Sequence, residues 1–187
     1  NIGPVDWKTT LLWSLNRNRI DQLLPEYTNE ELGVTVHLDE MDVYSLGGAK
    51  QRLTVGGSMG DVYVNTMRTD EHGHIWMNSM TGALETDKNN YVYAGNTNPK
   101  YTLSWRNEFN WKGISLGFML NARVGGIGVS ATQAVMDYYG VSKTSAEARD
   151  NGGVKVNGQM IDAQTWYQTI GANGTGYVGS MYVYSMT

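Results

Sequence analysis

The stretch Tyr101–Val124, YTLSWRNEFNWKGISLGFMLNARV, decides the fold. Tyr101, Leu103, Trp105, Phe109 and Trp111 recur at every second position, and only Asn107 interrupts their row. Thr102, Ser104, Arg106, Glu108 and Asn110 fill the alternate row. After Lys112-Gly113 the alternation resumes. Ile114, Leu116, Phe118, Leu120, Ala122 and Val124 form one row, and Ser115, Gly117, Met119, Asn121 and Arg123 the other. Successive side chains of a strand point to opposite faces, so this period of two predicts an antiparallel hairpin with a tight turn at 112–113. Each arm has about eleven residues. Globular strands usually have about five or six, whereas a tilted membrane-crossing strand needs about 9–11. Trp111 beside the turn and Tyr101 at the far end put aromatics at both ends of an apolar row, as in the two interfacial girdles of a barrel wall. A soluble sandwich with one face on its core also alternates. Strand length, girdle placement and charges on the opposite row favour a wall with a wet lumen.

Working outward, WKTTLLWSLN near the start alternates in the same way, with Trp7, Thr9, Leu11, Trp13 and Leu15 on one row. About eighty residues then lead to Tyr101, rich in turn pieces such as SLGGAK, GGSMGD, DEHGH and ETDKNN. Short strands are expected at Gln51–Val55, Asp61–Arg68 and Ile75–Asn78, the last two flanking a hairpin at Asp70–Gly73. A second long connection follows Val124. It opens GGIG and carries expected helices at Ser130–Tyr139, from Thr144 with Glu147 closing a capping box, and at Ala163–Ile170 capped by Asp162. Tyr177 to the end reads as the start of another strand. The order is strand, long loop, strand, tight turn, strand, long loop, strand. Short turns on one side and long loops on the other are the asymmetry of outer-membrane barrels. Lys112-Gly113, and Gly3–Asp6 with it, fall on the periplasmic side in this reading. The fold expected is all-β: an antiparallel transmembrane β-barrel fragment of about four wall strands, with two long extracellular loops containing short helices.

Composition narrows the function classes. The chain has 187 residues, 23 Gly, no Cys and a formal net charge of -4. Hydrophobic content of 41% excludes a disordered chain. The absence of Cys excludes a disulfide framework and thiolate metal sites. A pI near 5.3 supplies no basic field for nucleic acid. No apolar run approaches the length of a transmembrane helix. A mean hydropathy of -0.39 is what a barrel wall gives, because only alternate residues face lipid. The opening NIGPVDW carries no leader features and the closing YVYSMT stops in mid-pattern, so both ends read as cuts through a longer polypeptide.

Four stretches together resemble a known family: VDWKTTLLWSLNRNRIDQL, GGSMGDVYV, AGNTNPKYTLSWRNEFNWKGISLGFMLNARVGG and YGVSKTSAEARDNGGVKVNG. They are similar to the C-terminal part of SusC/RagA-type TonB-dependent outer-membrane transporters. The resemblance implies that residues 1–187 are part of a single C-terminal barrel domain, with the plug domain and final strands absent. It implies a wall of about 22 strands around a plugged lumen, a SusD-like surface lipoprotein, TonB acting through the plug, outer-membrane lipid around the wall, and a glycan or oligopeptide substrate. The localisation implied is the bacterial outer membrane, and the activity is transport with no enzyme chemistry and no cofactor.

Within that reading, Arg106, Glu108, Asn121 and Arg123 are candidates for the substrate path, or pair with one another across strands. Trp76, Tyr91, Tyr93, Trp166 and Tyr167 in the long connections are candidates for stacking on a sugar or meeting a partner, or pack the loops together. Three further patterns carry weaker chemistry. Gly126-x-Gly128-x-x-Ala131 with Asp150 beyond it imitates a dinucleotide fingerprint, but the strand before it alternates, whereas a parallel Rossmann strand is apolar on both faces. His72-x-His74 offers two imidazoles, more in keeping with turn chemistry than with a metal site. Asp39, Glu40 and Asp42 lack calcium-loop spacing. No nucleophile–base set emerges. The alternative function is a soluble β-rich carbohydrate-binding module, which requires the Trp105 and Phe118 rows to be buried in a core.

Overall fold

Lys112 and Gly113 have φ of 47° and 85°. Both central residues of the turn are left-handed, which matches the right-handed twist of the strands they join. In the computed structural model, which describes residues 3–78, 80–174 and 176–186, this turn closes a hairpin of two eleven-residue strands. In chain order the strands are β1 (Val5–Ser14), β2 (Leu24–Asn29), β3 (Val34–Leu38), β4 (Glu40–Leu46), β5 (Ala49–Thr54), β6 (Asp61–Met67), β7 (Thr86–Asn96), β8 (Tyr101–Trp111), β9 (Ile114–Val124), β10 (Ile127–Val129), β11 (Val154–Val156), β12 (Gln159–Ile161) and β13 (Val183–Ser185). The helices are α1 (Ala131–Tyr138), α2 (Lys143–Asp150) and α3 (Ala163–Ile170), with a 3₁₀ turn at Gly179–Tyr182.

The long sheet has the order β1-β8-β9 and is antiparallel throughout. Its register aligns the apolar rows. Trp7 faces Phe109, which faces Leu116; Leu11 faces Trp105, which faces Leu120. Trp7 stacks on Phe109 at 5.8 Å, and Trp105 meets Phe118 edge-on at 6.3 Å. Such cross-strand pairs each stabilise a sheet by about 0.2–1 kcal/mol. Among the described residues nothing else covers this face: Trp105 is 43% exposed, Phe118 41% and Leu120 56%. The two polar residues on it accept from indoles of the same face, while the buried Asn107 Nδ2 has no partner among the described residues. The Trp7 indole N–H donates to Asn107 Oδ1 at 3.1 Å, and the Trp105 indole N–H donates to Thr9 Oγ1 at 2.9 Å. Asn107 is only 1% exposed, enclosed by its aromatic neighbours.

The long connections fold into a second body. A four-stranded sheet, β4-β5-β6-β7, comes from the first, and the helices come from the second. They share an interior. Met67 of the first packs with Ala134, Val156, Trp166, Ile170, Tyr177, Val178 and Tyr182 of the second. Ala49, Val62 and Val64 pack against Ile127, Val129 and Val183. Gly48 and Gly179 lock the halves: a Cβ on Gly48 would lie 2.1 Å from the Tyr177 carbonyl oxygen, and one on Gly179 would lie 2.1 Å from that of Gly48.

Several expectations need correction. The fold is strand-rich and antiparallel, as expected, and the described residues form an open sheet of three long strands where about four wall strands were expected. Residues from Tyr177 onward turn inward, because Tyr177, Val178 and Tyr182 are core residues, and only Val183–Ser185 pairs, with β10. Thr187, the last residue of that expected strand, lies outside the described residues. The first strand starts at Val5, so Asp6 is in the sheet rather than in a turn. Ile75–Asn78 makes only isolated bridges, at Thr69–Ile75 and Met77–Leu84. The second helix is capped by Ser142, whose side chain accepts from Ser145 N, two residues before the expected cap. Asp162 caps the third helix as expected, and Ser130, expected as the first residue of its helix, is instead its cap. Strands β2, β3, β4, β7, β10, β11 and β12 had no counterpart in the sequence reading.

Candidate functional site

The polar face of the long sheet brings together Arg106, Glu108, Asn121 and Arg123. Register places Arg106 opposite Thr10 and Met119, Glu108 opposite Lys8 and Gly117, and Asn121 opposite Ser104. Arg106 and Glu108 form an ion pair along β8, two residues apart, rather than across strands. Arg123 donates from Nη2 to the Thr97 carbonyl at 2.9 Å, binding the end of β9 to the first connection.

The loop aromatics divide by environment. Trp166 is 9% exposed and belongs to the interior. Trp76 lies under the Arg68 guanidinium at 4.7 Å, and Arg68 pairs with Glu85 at 2.7 Å. Lys50 Nζ sits 3.8 Å from the Tyr91 ring centre, a cation–π contact. Tyr91 borders a cleft of about 190 Å³ that also includes Asn65, Thr169 and Tyr177. Tyr93 is exposed and donates to Asp61 Oδ1 at 3.4 Å. Burial, and then the Asp61 charge, pushes its phenol up.

Tyr167 borders two clefts. One, of about 230 Å³, lies between α1, α2 and α3 and includes Tyr139, Arg149, Gln164 and Gln168. A wider one, of about 600 Å³, includes Trp166, Tyr182 and Tyr184. Asp137 reaches both clefts and is 4% exposed. Its Oδ1 accepts from Gln133 Nε2 at 2.8 Å, from Thr144 Oγ1 at 3.1 Å and from the Ser142 hydroxyl. Burial pushes the Tyr167 phenol up, with Asp137 and Glu147 adding to the shift. It pushes Tyr177 up to about 12 and Tyr182 further still. Sequence reasoning missed Asp137, Tyr138 and Tyr139. Asp137 lies five residues before the Ser142 cap, and only folding shows that one network joins them.

The weaker patterns resolve into structural roles. Asp42 pairs with Arg52 at 2.7 Å and with Lys50 at 2.8 Å, Glu40 with Arg52 at 3.1 Å, and Asp39 with His37 at 2.9 Å. Asp42 faces Arg52 directly across β4 and β5, so the acidic group is one side of a charge ladder. The Arg52 hydrogen bond is the main reason the Asp42 carboxyl lies below its usual range. Asp70 Oδ1 accepts from His74 N at 2.8 Å and His72 N at 2.9 Å, which organises the turn that holds both histidines. Those bonds, His74 N first, hold the Asp70 carboxyl below its usual range. Among the described residues no group of three or more His, Asp or Glu is placed to hold a metal ion. The GGIG segment passes from an exposed antiparallel strand into β10, which pairs with β13, and only then into α1. It has no parallel βαβ unit, and a Cβ on Gly126 would lie 3.1 Å from the Thr97 carbonyl oxygen.

No protein-family model matches the chain, and no curated protein sequence matches it. No helix among the described residues is long and apolar enough to cross a membrane.

Proposed function

We propose that the chain is a wall and extracellular-loop segment of a TonB-dependent outer-membrane importer of the SusC/RagA type, for glycans or oligopeptides. One observation carries this reading. The β1-β8-β9 sheet presents a register-matched apolar face, ended by aromatics, that no other element among the described residues covers. A contiguous apolar patch of that kind marks an interaction surface, and strands of ten and eleven residues are long enough to cross a bilayer. The free edges of β1 and β9 then pair with further wall strands, since unpaired backbone cannot face lipid. The two connections, packed as one body, form part of the outer mouth. The polar face of the sheet lines the path. A SusD-like lipoprotein captures the solute, and plug movement through TonB admits it, with no covalent step. Membrane fractionation of the full-length protein tests the reading. Recovery in the detergent-extracted outer-membrane fraction supports it; recovery in the soluble periplasmic fraction without detergent refutes it.

The soluble binding-module reading requires the Trp105 and Phe118 rows to be buried. Their exposure weighs against it. The Tyr167 clefts remain its best support, and they fit equally well in the loop body of an importer.

A further inference from the structure

A groove of about 720 Å³ lies at the end of the long sheet away from the Lys112-Gly113 turn. Trp13, Leu15 and Tyr101 form its apolar side, and they continue the lipid-side row of Leu11, Leu103 and Trp105. Arg17 and Lys100 flank it, and no carboxylate borders it, in a chain whose net charge is -4. Among the described residues, neither cation makes an ion pair. Asn18 Oδ1 accepts from Ser58 Oγ at 2.7 Å and Met59 N at 2.8 Å. Its two amide N–H donors have no protein acceptor among the described residues. The rim is held firmly: Asn98 N donates to Asn96 Oδ1 at 2.7 Å, and Asn96 Nδ2 to the buried Asp61 at 2.8 Å. The groove therefore combines donors and positive charge above with an apolar floor below.

We propose that this groove binds the phosphate of an anionic membrane lipid, with Arg17, Lys100 and the Asn18 amide on the headgroup and an acyl chain along Trp13 and Leu11. The inference rests on the membrane reading above. Charge complementarity selects the occupant. Two unpaired cations and neutral amide donors suit an anion, and continuity with the apolar row suits a chain attached to it. An aromatic girdle sits at headgroup depth, where each cation strengthens attraction to anionic lipid.

The test uses the full-length protein in lipid nanodiscs of phosphatidylcholine containing a minor fraction of phosphatidylglycerol, with native mass spectrometry counting the lipids retained on release. The wild type retains phosphatidylglycerol over phosphatidylcholine. The Arg17→Gln/Lys100→Gln variant loses that preference by roughly thirtyfold. Lys112→Gln, which removes one charge at the opposite end of the sheet, keeps it. Equal retention of the two lipids by the wild type, or an unchanged preference in the double variant, overturns the proposal. Displacement of the lipid by millimolar inorganic phosphate overturns it too, because the groove is then a plain anion site. Failure to remain in any bilayer sinks the membrane reading itself, which the phosphatidylcholine discs alone reveal.

Discussion

Leu120→Arg separates a lipid-facing sheet from a water-facing one. Leu120 lies near the middle of β9 opposite Trp105, and it is 56% exposed. In water an arginine there gives up no core packing, and such surface changes usually stay within about 0.5 kcal/mol. In a bilayer the same residue sits near the midplane on the lipid side, where arginine costs roughly 2–4 kcal/mol. At about 1.4 kcal/mol per factor of ten, the ratio of folded to unfolded protein falls by roughly thirty- to several-hundredfold. Asn121→Arg is the internal control, because the next residue points to the polar face, and its cost stays within about 0.5 kcal/mol. The assay is denaturant titration of the full-length protein in lipid vesicles, read by Trp fluorescence, comparing midpoints at constant m. Equal shifts for the two variants, or a silent Leu120→Arg, would refute the reasoning.

Three further outcomes follow from particular contacts. Trp7→Phe removes the donor to the buried Asn107 Oδ1 and costs about 1–3 kcal/mol in the same titration. Adding Asn107→Leu recovers most of that loss, because the unsatisfied group is then gone. Asp42 is lowered from its ordinary value of 3.8, mainly by the Arg52 hydrogen bond, so the ladder contributes stability above that pH and loses it as pH falls below. The melting temperature should therefore drop on acidification through this range, and less steeply in Arg52→Gln; parallel pH profiles would count against the ladder. Gly48→Ala drives a methyl against the Tyr177 carbonyl oxygen and costs roughly 1–3 kcal/mol by overpacking. Limited proteolysis should then cut both long connections faster together, and cleavage confined to one would show that they fold separately.

The hairpin was legible to the residue because period two, strand length and a Lys-Gly turn all agree. The Asp162 cap was legible because a short acceptor side chain precedes the helical run, whereas Ser130 read as part of its helix and only the structure shows it as the cap. Strand β4 was hidden by a bulge between Asp42 and Tyr44, which breaks the alternation of Met41, Val43 and Tyr44. Strand β7 was hidden by Asp87, whose Oδ1 accepts from Asn89 N at 3.3 Å and Asn90 N at 3.2 Å. That is turn chemistry inside a strand, at a register shift opposite Asn65 and Thr66. The shared interior of the connections was not legible at all. Met67 and Tyr182 lie in different connections, and nothing local in either segment announces the other. The four polar wall candidates were grouped by their alternation, but Arg123's bond to Thr97 depends on where the first connection returns.

That bond bears on what the polar face offers a solute. The charged residues on it are Asp6, Lys8, Arg106, Glu108 and Arg123, so the face is close to balanced. Arg106 and Glu108 neutralise each other, Arg123 is directed to a carbonyl, and Asp6 and Lys8, of opposite sign and two residues apart on β1, stand at the turn end of the face without an ion pair among the described residues. The amide of Asn121 and the hydroxyls of Thr10, Thr102 and Ser104 are left as the neutral groups between them. Hydroxyls and amides exchange hydrogen bonds with a polyhydroxylated solute in both directions, as donor and acceptor. A fixed, unpaired charge would instead hold an ion and repel its opposite. Within the proposed importer, the stretch of the path around Thr10, Thr102, Ser104 and Asn121 therefore suits an uncharged, hydroxyl-rich solute better than an ionic one. Arg17 and Lys100, likewise without an ion pair among the described residues, lie beside the apolar row and outside that path.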